Sequence, residues 1–104
     1  MRVLMRHTPC MRYDWDSKKN DFLKATRKIS FEAIIVHLER GDLWQVADHP
    51  DQKQYPGQQL FFVIIDDYIH IVPFEIRGNT IWLVTIIPNR KATREYRKEK
   101  LDET

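Results

Sequence analysis

Thr80 to Glu99 reads TIWLVTIIPNRKATREYRKE, a near-continuous apolar run that passes directly into a cluster of positive charge. Thr80 to Ile87 is β-branched and aromatic throughout, the composition of a strand buried on most of both faces and therefore central to a sheet. Pro88 lacks the N–H that a ladder needs, which stops the strand or takes it to an edge, and Asn89 suits a turn. Arg90, Lys91, Arg94, Arg97, Lys98 and Lys100 follow. Thr93 is the expected cap of a helix beginning at Arg94, whose N-terminal amides would add partial positive charge near the same spot. The functional reading of this junction is an anion site, RNA phosphate first among its ligands. Charge alone is equally consistent with a solvated tail.

Outward from that stretch, 104 residues allow one domain with a modest core. No apolar run approaches the roughly 20 residues that span a bilayer, and Met1 to Arg12 has no long apolar centre, because Arg6 and His7 interrupt Val3, Leu4 and Met5. The expectation is a cytosolic protein whose residues 1–12 form a flexible leader, 13–101 the domain and 102–104 a tail. Cys10, the single cysteine, falls in the leader and reads as incidental. Charge is uneven: residues 1–28 carry +5, 29–87 carry −5 and 88–104 carry +2. If the two basic ends pack beside one sheet, they form a positive rim on a more acidic body, the footprint of a polyanion partner.

In chain order, Tyr13 to Asp16 reads as a short strand with Tyr13 and Trp15 on one face, Trp15 as a core anchor. Asp16 or Ser17 caps a first helix to about Lys28, with Phe22, Leu23 and Thr26 inward and Lys18, Lys19, Lys24, Arg27 and Lys28 outside. Ser30 caps a second helix whose Phe31, Ile34, Ile35 and Leu38 form the inward stripe, and Gly41 ends it in a left-handed conformation. Asp42 to Asp48 is a strand, and His49 to Gly57 a loop in which His49, Lys53 and Tyr55 could reach a ligand, though plain connection is the simpler reading. Gln59 to Asp66 is a buried strand, Asp66-Asp67 a tight turn, Tyr68 to about Ile76 the next strand, and Arg77-Gly78-Asn79 the last hairpin. His70 shares a face with Tyr68 and Val72. A strand-face histidine is more often structural, and becomes a general acid only if that face lines a groove. His7, His37, His49 and His70 stand singly, without metal-site spacing, so neither metal nor cofactor is expected. The order β-α-α-β-β-β-β-α describes an α+β fold: a small antiparallel sheet covered by two N-terminal helices.

Three motifs then fall into register. Trp15-Asp16-Ser17-Lys18-Lys19, Ser30-Phe31-Glu32 and Arg90-Lys91-Ala92-Thr93-Arg94 resemble, in order, spacing and element type, the BrnT family of bacterial toxins. The family pattern is roughly W-D-x-x-K, then H-G-V-S-F-E-E-A, then S-A-R-K-A-T, and the resemblance covers residues 13 to 97. It implies a RelE-like fold, a ribonuclease that cuts RNA and arrests translation, and neutralisation by a neighbouring antitoxin, typically with a ribbon-helix-helix part that supplies any DNA contact. A hetero-oligomer with that antitoxin is the implied assembly. The chain departs from the pattern at Arg27-Lys28, which replaces His-Gly, at Leu23, which replaces an asparagine, at Pro88-Asn89, which replaces Ser-Ala, and at Gln58 or Gln59, where the family commonly has arginine.

Metal-free RNA cleavage requires stabilisation of phosphoryl negative charge and proton transfer at two alkoxides. Arg90 is the first candidate catalytic residue, since a guanidinium stays charged and donates two hydrogen bonds to phosphate. Lys91 is the second, as phosphate contact or proton donor. In an extended backbone only one of these neighbours would face inward. Arg94, Arg97, Lys19, Arg27 and Lys28 are candidate substrate contacts, and Arg77 a weaker one at a hairpin tip. The alternative is a binding module whose basic groove docks an antitoxin or another acidic partner without chemistry.

Overall fold

The computed structural model describes residues 11–102. Its elements are β1 (Arg12–Trp15), α1 (Ser17–Arg27), α2 (Phe31–Glu39), β2 (Leu43–Asp48), β3 (Gln59–Ile65), β4 (Tyr68–Arg77), β5 (Thr80–Leu83), β6 (Ile87–Pro88) and α3 (Arg90–Asp102). The α+β class follows the sequence reading. The leader expectation falls outside the described residues except at Met11 and Arg12, and Arg12 already pairs with Thr80 in the sheet. No described helix is long and apolar enough to cross a membrane.

The sheet is mixed, with strand order β1-β5-β4-β3-β2, and this corrects the expected antiparallel sheet. β2 to β5 form the anticipated meander, but β1 lies parallel to β5, Trp15 opposite Leu83. The physical reason is connectivity: a hairpin forces antiparallel neighbours, whereas β1 reaches β5 only after the whole intervening chain, and such a crossover leaves parallel pairing open.

The apolar run from Thr80 to Ile87 is two strands. β5 and β6 follow one another along the same edge of β4, and between them the register slips by one residue, from Phe74 opposite Leu83 to Ile71 opposite Ile87. Pro73 faces this interruption. It accepts the Val84 N–H at 2.8 Å but has no N–H to return. The resulting bulge turns Ile86 fully into the core. Pro88 remains within the ladder, opposite His70, because β6 is itself short and marginal.

Leu23, Phe31 and Ile34 from the two early helices pack with Phe61, Val63, Val72, Phe74, Leu83 and Ile86 on one face of the sheet. Trp15 adds its ring 5.7 Å from that of Phe31. The alternate residues serve the opposite face: Trp44 makes edge contacts with Phe62 and with Tyr96 of α3, and the amide of Ile69 binds Thr93. The sheet is therefore sandwiched, α1 and α2 on one side and α3 on the other.

Local chemistry accounts for the helix ends. Asp16 caps α1 through the Lys18 amide, and Ser30 caps α2 through the Ala33 amide. Gly41 follows α2 with φ +88°, the left-handed turn expected there. Two inward assignments in α1 differ. Phe22 is 54% exposed and Thr26 bonds back to the Phe22 carbonyl, while Asn20 is buried. Asn20 lies one turn before Leu23 and bridges the helices, its oxygen accepting the Phe31 N–H at 2.9 Å and its amide donating to Glu32 at 2.8 Å. Those bonds make a buried polar residue the better fit for the seam.

α3 begins four residues earlier than expected, and its cap is Asn89. Asn89 Oδ1 accepts the Ala92 N–H at 2.7 Å, and Thr93, the expected cap, is buried within the helix. The reason is the inward stripe of Ala92, Thr93 and Tyr96, which places the first turn upstream of Thr93.

Candidate functional site

The last turn of α1 carries Lys24 and Arg27, and the chain leaves the helix through Lys28 at φ +58°. A non-glycine residue in this region is strained. Just before it, Arg27 donates from Nη1 to the carbonyl of Ile86 at 2.7 Å. That bond ties the end of α1 to the bulge that precedes β6 and uses one of five guanidinium N–H groups.

A cleft of about 340 Å³ opens beside this tie, lined by Arg27, Lys28, Asp66, Tyr68, His70 and Pro88. A second cleft of about 460 Å³ shares Lys28 with the first and adds Lys24, Ser30 and His37. Lys28 thus lines both clefts, Arg27 the first and Lys24 the second. Pro88 lines the first cleft, and Arg90 and Lys91, which do not line it, follow two and three residues later as the first residues of α3. On a helix, consecutive side chains diverge by about 100°, so both can serve one side of a ligand, unlike neighbours on an extended strand.

The first turn of α3 contains no acidic residue. Arg90 and Lys91 therefore add positive charge to a helix terminus that is already partially positive, an arrangement that favours an anion there. The side chains of Lys28, Arg90, Lys91 and Arg94 make no hydrogen bond or ion pair with described residues. They are exposed.

His70, read from the sequence as structural unless its face lined a groove, does line one. It lies on the face of β4 shared with Val72, half-buried, and the pairing of His70 with Pro88 across to β6 brings it into the cleft. Its Nδ1 is 3.3 Å from the Tyr68 carbonyl. Burial holds its pKa below the ordinary 6.5, aided by His37 and opposed by the Tyr68 carbonyl and Asp66. Its alternation with Ile69 and Ile71 was visible in the sequence; the strand break that creates β6 was not.

Other expected contacts sit elsewhere. Lys19 lines a separate cleft of about 460 Å³ with Asp16, His49, Tyr55, Trp82 and Ile87. Arg77 pairs with Glu75 at 2.8 Å and covers the Trp82 ring at 4.4 Å. Arg97 clamps the β3–β4 turn, donating to the Asp67 carbonyl and lying 3.3 Å from its carboxylate, with Lys100 at 3.1 Å. The Lys100 hydrogen bond, with the charges of Lys100 and Arg97, holds the Asp67 carboxyl below its ordinary pKa. Arg97 and Arg77 are thus engaged in structural pairs, and neither lines the Arg27–Lys28 cleft.

No protein-family model, curated protein or solved structure matches the chain.

Proposed function

We propose that this chain is a BrnT-like toxin with a RelE-like fold: a metal-independent endoribonuclease that cleaves RNA in the cytoplasm and arrests translation. A cognate antitoxin, of ribbon-helix-helix type, neutralises it in a hetero-oligomer and supplies any contact with DNA. The observation that carries the proposal is the cleft in which Arg27 and Lys28 meet the β6 end that leads directly into Arg90 and Lys91.

Local geometry supports the motif register. The left-handed residue Lys28 stands where the family pattern has glycine, the residue that such a backbone favours. Arg90-Lys91-Ala92-Thr93 divides into two exposed cations followed by two buried small residues, so one short motif both anchors α3 and presents charge.

In the proposed reaction the ribose 2′-oxygen attacks the adjacent phosphorus, and negative charge grows on the non-bridging oxygens. Arg90 stabilises that charge through its guanidinium fork, with Lys91 as a second phosphate contact. Arg27 and Lys28 hold the neighbouring phosphate, Arg94 adds charge one turn further along α3, and Lys19, in its separate cleft, is a secondary contact. The expected Arg97 and Arg77 contacts are secondary, because each would first have to leave its carboxylate.

The test is incubation of the purified full chain with single-stranded RNA in a chelator, beside Arg90→Ala. The parent is expected to cleave, and the variant to lose about 100-fold in rate, the scale of one removed oxyanion donor. RNA bound without cleavage by the parent would identify a docking module instead.

A further inference from the structure

His70 shares the cleft with two cations, and its hydrogen bonding sets which ring nitrogen can act. A carbonyl oxygen only accepts, so the 3.3 Å contact with Tyr68 places the imidazole hydrogen on Nδ1 and leaves the lone pair on Nε2. The charged and titratable groups around the ring come from every neighbouring element: Arg27 and Lys28 at the end of α1, Asp66 and Tyr68 on the β3–β4 hairpin, and His37 on α2. β6 contributes only Pro88. Burial, with His37, favours the neutral ring, and the Tyr68 carbonyl and Asp66 oppose them. A neutral imidazole with a basic nitrogen, lining the same cleft as Arg27 and Lys28, is equipped to remove a proton from a hydroxyl next to a phosphate held there.

We propose that His70 is the proton acceptor of this site, taking the ribose 2′-hydroxyl proton onto Nε2. The inference rests on the ribonuclease reading above and adds to it the group that activates the nucleophile. As Nε2 gains the proton, the 2′-oxygen forms its bond to phosphorus and the bond to the 5′-oxygen breaks, leaving a 2′,3′-cyclic phosphate. The departing 5′-oxygen takes a proton from water, and the hydroxide so formed recovers the proton held by His70. No oxidant, reductant or metal enters the balance.

The experiment measures cleavage of a mixed-sequence single-stranded RNA from pH 5 to 8 in a chelator, using the full chain and His70→Gln. The parent rate falls on the acid side as His70 gains its proton. His70→Gln loses at least about 100-fold and with it the acid limb, the range of a removed general base. A second readout needs no catalysis: nitrogen NMR of the parent's histidines shows His70 with its hydrogen on Nδ1, titrating below 6.5. Superimposable pH–rate profiles for parent and variant, or a hydrogen on Nε2, overturn the assignment while leaving the nuclease intact. A parent that is folded by NMR and inert toward RNA overturns both.

Discussion

The hydroxyl of Thr93 accepts the backbone N–H of Ile69 at 2.9 Å and donates its own hydrogen to the Asn89 carbonyl at 2.7 Å. Asn89 in turn gives its N–H to the Ile69 carbonyl at 3.0 Å. β6 ends at Pro88, so this side chain takes the place of the next ladder residue and carries the pairing of β4 into α3.

Thr93→Val keeps the shape and removes the hydroxyl, leaving the buried Ile69 amide without its partner. Urea unfolding should show a loss of about 1–3 kcal/mol, the cost of an unsatisfied buried donor. Thr93→Ser should retain most of the stability.

Lys28→Gly should separate folding from binding. Glycine relieves the positive φ and stabilises the fold by about 1 kcal/mol, a rise of several degrees in Tm for a domain of this size. The same change removes a cation from the cleft, so RNA affinity in low salt should fall and its salt dependence should become shallower.

Arg90→Glu places an acidic side chain in a helix turn that has none. Thermal unfolding should show a gain of about 0.3–1 kcal/mol from the helix dipole. RNA cleavage should be abolished, since the phosphate would meet a carboxylate. A variant that is both less stable and fully active would contradict the role given to this turn.

Stability should also fall as pH drops below 6.5, and His70 sets the sign. Its pKa is lowered in the folded protein, so the unfolded chain binds the proton more readily and protonation favours unfolding. The loss begins at the unfolded value and levels off once pH passes below the folded one. Denaturation midpoints measured from pH 5 to 8 should be flatter in His70→Gln than in the parent over that window.

Much of the fold could be read from local pattern. Ser30 before the Phe31, Ile34, Ile35, Leu38 stripe, and Asp66-Asp67 between two apolar runs, are decided within a few residues, and the structure follows them; both aspartates adopt positive φ in the turn. What escaped the sequence depends on partners far along the chain. Thr80 to Ile87 looks continuous until Pro73 is set beside it, and Asn20 looks like a surface residue until Phe31 turns its amide toward it. The site divides the same way. Arg27, Lys28, Arg90 and Lys91 were visible as charge, whereas His70 gained its place only through the shifted pairing of β4 with β6.

The parallel union of β1 with β5 also dictates a timetable. Residues 12–15 find their ladder only when residues 80–83 exist, so during synthesis the first strand must wait for most of the chain. Pairing across such separation is slow compared with the hairpins between them. The bulge and cleft arise still later, after Leu83. The cationic surface is therefore complete only once the residues of β6 and the first turn of α3 have joined the sheet that β1 and α1 began.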